Sequence, residues 1–240
     1  MSGQTATEAP AALPLPLSRL KIPGFARRTK QVGLESQPVD AAMLEVCSEA
    51  MRHLGGPRLE RLGVLSSVRG EGRSSIAAAL AFAHARDYGR STLLIDADFE
   101  GPGLAARFGV DSAPGIAELL RGRTSLDNAI RPVGENLLLM PAGEIDGAPS
   151  RLANELVGSG LLAELQMEFQ AIVADLPALL GSPSGVLLAE AFESTLLVIR
   201  AEGTPISKVR EALTPIQGQP VVILNGTRSS LPGWVRRFLT

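Results

Sequence analysis

The sequence predicts an α/β domain whose mostly parallel sheet is flanked by helices, and three observations carry that prediction. Apolar runs and helix-spaced segments alternate along most of the chain. The runs are continuous rather than alternating, as Leu93-Leu94-Ile95 and Ile172-Val173-Ala174 show, which is the pattern of parallel strands covered on both faces. Finally, an apolar run, a Gly-x-Gly turn and an Ala-rich helix follow one another without a break between Leu62 and Tyr88. Strand, glycine loop and helix in immediate succession form one packing unit of such a domain.

Taken in order, residues 1–37 differ from the rest. Pro10, Pro14, Pro16 and Pro23 interrupt any helix, and Arg19, Lys21, Arg27, Arg28 and Lys30 lie there with no acid among them. The segment reads as a disordered leader or as a basic arm for an acidic partner or membrane face. The folded domain is expected over 38–240. A helix over 39–54 has Ala42, Met43, Val46, Ala50 and Leu54 near helical spacing and stops at Gly55-Gly56-Pro57. Its Cys47 is the single cysteine of the chain, which excludes an internal disulfide and fits a reducing compartment. Strands are expected over 91–96, 136–140, 171–175, 194–199 and 220–224. A short helix begins at Pro114-Gly115, and helical spacing over 151–169 is interrupted by Gly158-Ser159-Gly160.

Composition excludes several classes. A net charge of −2 over 240 residues, 45% of them apolar, argues against a general nucleic-acid binder. No run approaches ~18 consecutive apolar residues, the length a membrane helix needs. No charged and then apolar leader of the secretory kind is visible.

The chemistry concentrates in Ser66-Ser67-Val68-Arg69-Gly70-Glu71-Gly72-Arg73-Ser74-Ser75. Glycines let backbone N–H groups close around an anion, and a helix N-terminus adds its dipole. Against G-x-x-x-x-G-K-[ST], Gly72 and Ser74 fit, Ser67 replaces the first Gly and Arg73 replaces the Lys. Asp96 and Asp98 close one apolar strand and Asp175 closes another. Open α/β sheets bind ligands at such strand ends, so the three carboxylates and the loop are expected to converge on one crevice. A magnesium ion beside phosphates needs a hydroxyl and one or two carboxylates, which Ser74, Asp98 and Asp175 could supply. A dinucleotide fingerprint is the rival, with Gly70, Gly72 and Asp96. Its third glycine is absent at Ser75, and the loop runs long for it.

These residues carry a resemblance. The loop resembles the T-S-x-x-P-G-E-G-K-S-T segment of bacterial tyrosine kinases of the polysaccharide co-polymerase system, the CpsD/CapB and Wzc-type domains related to MinD/ParA P-loop ATPases. Leu93-Leu94-Ile95-Asp96-Ala97-Asp98 is similar to that family's L-L-I-D-A-D, Val173-Ala174-Asp175-Leu176-Pro177 to I-I-D-T-P-P, and Val222-Ile223-Leu224-Asn225-Gly226 to V-V-L-N-G. The match runs in order over about 38–228. It implies a three-layer P-loop NTPase fold and an ATP or ADP and Mg2+ site. Arg69, Gly70, Glu71, Gly72, Arg73, Ser74 and Ser75 would hold phosphates and Asn225 would lie near the adenine. Ser74, Asp98 and Asp175 would serve the metal, and Asp96 with Arg73 would be the catalytic pair. The implied partner is a membrane-embedded polysaccharide co-polymerase and the implied place is the cytoplasm, with peripheral association at the inner membrane through that partner. A homo-oligomer is left open, and nucleic acid is not a partner.

The departures bear on activity. Arg73 stands for the phosphate-bridging Lys, Arg69 for the loop Pro, Glu100 for a basic residue, Leu176-Pro177-Ala178 for Thr-Pro-Pro and Ser184 for an Asp. The helix before the loop lacks the arginines the resemblance leads one to expect. Tyr88 is the only tyrosine, so self-phosphorylation on a tyrosine-rich tail is not expected. The expected function is therefore a divergent, catalytically weak or inactive nucleotide-binding partner of polysaccharide export. An active ATPase or kinase acting in trans is the first alternative and a MinD/ParA-like positioning ATPase the second. Val68 stands where that last class has an extra signature Lys.

Overall fold

The computed structural model describes residues 39–101 and 103–226; the basic leader, Pro102 and the segment from 227 onward, with Trp234, lie outside the described residues. The first helix, α1 (Ala41–His53), starts where the Asp40 side chain accepts the Ala42 N–H at 2.7 Å. It buries Leu44, Cys47 and Met51 at helical spacing. Burial raises the Cys47 thiol to about 12, so this cysteine packs as a small hydrophobe. A 3-10 turn over Gly56–Arg58, not foreseen in the sequence, leads into β1 (Arg61–Ser66).

After the glycine loop comes α2 (Arg73–Tyr88), ended by Gly89. Its Ala77, Ala78, Ala79, Ala81, Ala83 and Ala85 are all buried. With so little side chain, α2 lies close between α1 and the sheet, where a larger residue would overpack. Next are β2 (Thr92–Asp96), α3 (Leu104–Phe108), α4 (Ile116–Leu120), α5 (Leu126–Ala129), β3 (Arg131–Gly134) and β4 (Leu137–Met140). The sequence does not foresee α3, α5 or β3. Each is only four or five residues long, too short for a periodic signal, and β3 contains Pro132.

The interruption expected at Gly158-Ser159-Gly160 is real. It separates α6 (Pro149–Gly158) from α7 (Leu161–Glu168), with Gly160 at φ 77°. The chain ends with β5 (Ala171–Ala178), α8 (Pro183–Ala189), β6 (Ser194–Arg200), α9 (Ile206–Leu213) and β7 (Val221–Asn225). Strand β5 runs past Asp175 and through Pro177. The register shift against β1 falls there, between Val64 opposite Asp175 and Ser66 opposite Ala178.

The seven strands are ordered β3-β4-β2-β5-β1-β6-β7. All neighbours are parallel except β3 with β4, and β3 with its Pro is at an edge, where a missing N–H is tolerated. The mostly parallel sheet with helices on both faces is the expected class. Strand alternation sorts the core into two layers. Leu65, Leu93, Ile95, Ile172, Ala174 and Leu197 face α4 to α8, while Leu62, Val64, Leu94, Val173, Leu196 and Val198 face α1 and α2. No described helix is long and apolar enough to cross a membrane.

Candidate functional site

The loop between β1 and α2 takes its shape from a few contacts. Gly72, at φ 90°, caps α2, and a Cβ there would come within 2.1 Å of Asn225 Nδ2, so only glycine fits. The Asn225 amide donates to the Glu71 carbonyl at 2.9 Å. The Glu71 carboxylate, 2% exposed, accepts the Val68 N–H at 2.9 Å, the Arg200 N–H at 3.1 Å and the Thr204 hydroxyl at 2.6 Å. Glu71 thus ties the loop to the ends of β6 and β7. Sequence reasoning counted it among the loop residues but had no sign of this role, because Arg200 and Thr204 lie about 130 residues away along the chain.

At the base of the loop, Arg73 turns inward. Its Nε donates to Asp175 Oδ1 at 2.7 Å, one terminal nitrogen donates to Asp98 and the other to the Ser66 hydroxyl at 3.2 Å. The three side chains of the ion-paired cluster are 8%, 10% and 3% exposed for Arg73, Asp98 and Asp175. The Ser74 hydroxyl also reaches Asp175. Burial alone would lower the Arg73 pKa, but Asp175 and Asp98 outweigh it and the net shift is upward. Ser74, Asp98 and Asp175, read from the sequence as metal-serving groups, are indeed brought together. They surround a guanidinium.

Asp96 is opposite Asp175 in the register of β2 with β5 and is 1% exposed. Its Oδ2 accepts the Leu104 N–H at 2.6 Å. Burial first, then the charges of Asp175 and Asp98, raise its pKa to about 7. Above the loop, Arg69 reaches the Glu100 carbonyl at 3.1 Å and the Glu100 carboxylate at 3.3 Å. The same carboxylate accepts the Ser182 hydroxyl at 2.6 Å and the Ser184 hydroxyl at 3.0 Å. The sequence marks Glu100 and Ser184 as two separate departures from the family pattern; the fold makes them partners. Ser75 continues the first turn of α2.

An open cleft of about 620 Å3 borders the loop, lined by Val68, Arg69, Gly70, Arg200, Glu202 and Thr204, with Gly226 beside Asn225. That volume suits a small molecule. A second cleft of about 470 Å3, lined by His53, Phe192 and Gln217, touches no residue of the loop. Contact with the glycine loop selects the first.

The resemblance implies a magnesium ion, and the arrangement can be tested for it. Both carboxylates that would bind it already share one guanidinium. A divalent ion would have to displace the guanidinium, whose Nε and one terminal nitrogen already occupy these carboxylates and whose like charge opposes a second cation beside it. The donor set as arranged does not fit the metal.

A glycine loop between a central parallel strand and a helix, with carboxylates at neighbouring strand ends, is the fold of P-loop NTPases in its MinD/ParA-like form. The MinD protein of Pyrococcus horikoshii, solved with Mg-ADP, shares this fold at TM-score 0.56 and 23% identity, over 75% of this chain and 77% of that one. No family model matches the chain. The VpsO kinase domain matches at TM-score 0.70 and 31% identity, over 78% of this chain and 94% of that one. The tyrosine-protein kinase YwqD of Bacillus subtilis is 26% identical over 178 residues, 72% of this chain and 75% of that protein. The chain belongs to the family of bacterial tyrosine-protein kinases that includes CapB, CpsD and the Wzc-type kinases. It covers only 20% of the length of longer relatives such as the tyrosine-protein kinase ptk of Acinetobacter johnsonii, which is 28% identical over 60% of this chain.

Proposed function

We propose that this chain is a divergent, catalytically weak nucleotide-binding member of that kinase family, acting in the cytoplasm to regulate a membrane-embedded co-polymerase of polysaccharide export. The engagement of Arg73 carries the reading. In phosphoryl transfer the loop cation bridges phosphate oxygens and the protein acts mainly by positioning. Here that cation is bonded to Asp175, Asp98 and Ser66 at the floor of the loop. What remains for a nucleotide is the loop backbone over 70–74, the start of α2 and the adjoining cleft lined by Arg69, Gly70 and Gly226. ATP or ADP is the ligand proposed there. The export role is supported by relatives such as the succinoglycan biosynthesis transport protein ExoP of Rhizobium meliloti, 32% identical over 72% of this chain and 23% of its own length.

The test is ATP hydrolysis and phosphate transfer to an added tyrosine polymer by wild type and Arg73→Lys, beside an active relative such as YwqD. The expected result is wild-type turnover near background and a gain in Arg73→Lys. A misplaced group of about 1 Å costs ~100-fold, so the gain should be large enough to read. Wild-type turnover equal to the relative's overturns the weak-enzyme reading in favour of a kinase acting in trans. Tyr88, the last residue of α2, packs its ring 5.2 Å from that of His84 and is proposed to be structural. Stoichiometric phosphate on Tyr88 after incubation with ATP, seen by mass spectrometry, would refute that.

A further inference from the structure

We infer that the Arg73 guanidinium stands in for the divalent cation in this chain, so that a nucleotide is held at the loop without a resident metal. The second half of this inference rests on the nucleotide reading above; the first half does not. All three guanidinium nitrogens are used, each on a different element: Nε on Asp175 of β5, one terminal nitrogen on Ser66 of β1 and the other on Asp98 beyond β2. A guanidinium presents its donors in one plane and fixed directions, which an ammonium does not, so this set of partners selects Arg over Lys.

The partners are themselves held. The Ser66 hydroxyl donates to the Val68 carbonyl at 2.9 Å, so its lone pair is left to face Arg73. The Asp98 carboxylate accepts the Glu100 N–H at 3.3 Å, and Ser74 reaches Asp175. Asp98, Asp175 and Ser66 are thus each engaged by the guanidinium, while the buried Asp96 Oδ1 beside them has no hydrogen-bond partner among the described residues. One guanidinium among two buried carboxylates already supplies them with a counter-cation and leaves a formal excess of one negative charge.

The experiment uses the full chain and two arms. In the first, melting temperature and manganese binding by electron paramagnetic resonance are measured with metal alone. Wild type should bind no manganese and show no magnesium-specific rise over a potassium control of equal ionic strength. Arg73→Ala should melt lower, bind manganese and recover about 5 °C on adding magnesium. If Arg73→Ala does not fold, Arg73→Lys serves, since its compact cation leaves two of the three partners free. Manganese bound by wild type, or by neither wild type nor the folded variant, overturns the inference. In the second arm, ATP and ADP affinities are compared in EDTA and in excess magnesium. Wild-type affinity should be the same in both, while Arg73→Lys should gain about tenfold with magnesium. A wild-type affinity that falls about tenfold in EDTA also overturns it. Failure of either nucleotide to bind under both conditions refutes the nucleotide reading, and the metal arm then decides the cation question alone.

Discussion

Arg69 lies in the glycine loop and Arg73, four residues on, opens α2, and both pair with carboxylates beyond the end of β2. The Arg69 side chain is 56% exposed and its bonds to Glu100 bridge the rim of the crevice. The Arg73 side chain is 8% exposed and its partners lie on the floor. Water screens the exposed Arg69 end, and Glu100 keeps the Ser182 and Ser184 hydroxyls as partners, so the net contribution of the pair is small. At the floor no such substitute exists, and removing one member strands the others as uncompensated buried charge. The same residue type, four positions apart, is therefore dispensable in the loop and structural at the start of α2.

The largest effect that would break this comparison concerns Arg73. Arg73→Ala should destabilise the chain by about 3–5 kcal/mol, measured by urea denaturation at pH 7, because Asp98 and Asp175 lose their shared counter-charge. Neutralising the floor in the triple variant Arg73→Met, Asp98→Asn, Asp175→Asn should recover most of that loss. A loss below ~1 kcal/mol in the single variant would place the floor pair in the same energetic class as the rim.

Next in size is a pH effect with two opposing parts. The folded Asp96 carboxyl titrates near 7 and the unfolded one near ~3.9, so the folded chain keeps a proton that the unfolded chain has lost. Stability from this group falls as pH rises through that window, by up to ~4 kcal/mol, and is level above it. His84 is fully buried, with Nδ1 2.9 Å from the Thr92 hydroxyl. Burial and then the Arg90 charge lower its pKa to about 4, so the unfolded chain takes the proton first. Stability from His84 falls as pH drops from ~6.5 to ~4, by up to ~3 kcal/mol. Relative to wild type, Asp96→Asn should therefore gain stability as pH rises from 5 to 8, and His84→Gln should gain as pH falls from 6.5 to 4. Melting curves of both variants showing the same pH slope as wild type would refute these assignments.

Glu71→Gln sharpens the comparison from within the loop. One side-chain oxygen still accepts from Thr204 and Arg200, but an amide nitrogen then faces the Val68 N–H. A cost of about 1–3 kcal/mol is expected, with faster hydrogen exchange over 67–72. Unchanged exchange there would mean that the glycine backbone alone holds the loop. The smallest effect belongs to the rim. Arg69→Ala should change stability by less than ~1 kcal/mol, with any difference vanishing in high salt.

The periodic features were legible in the sequence. Continuous apolar runs marked the parallel strands, the glycine triplet at 158–160 marked the break between α6 and α7, and the acids at 96, 98 and 175 marked the carboxylates at neighbouring strand ends, because each is a local pattern of residue type and spacing. The sequence also showed that Arg73 replaces the bridging Lys. Where that arginine points was a different matter: its partner Asp175 is 102 residues away and meets it only because β5 pairs with β1 and β2 at the centre of the sheet. The same holds for Glu100 with Ser184, 84 residues apart, and Glu71 with Thr204, 133 apart. Local sequence determines which segments become strands and loops, since that follows from short-range backbone and burial preferences. The choice of partner for a charge, and its worth once chosen, depends on which strand ends the fold brings together and how completely it removes water from between them, and those are properties of the tertiary structure alone.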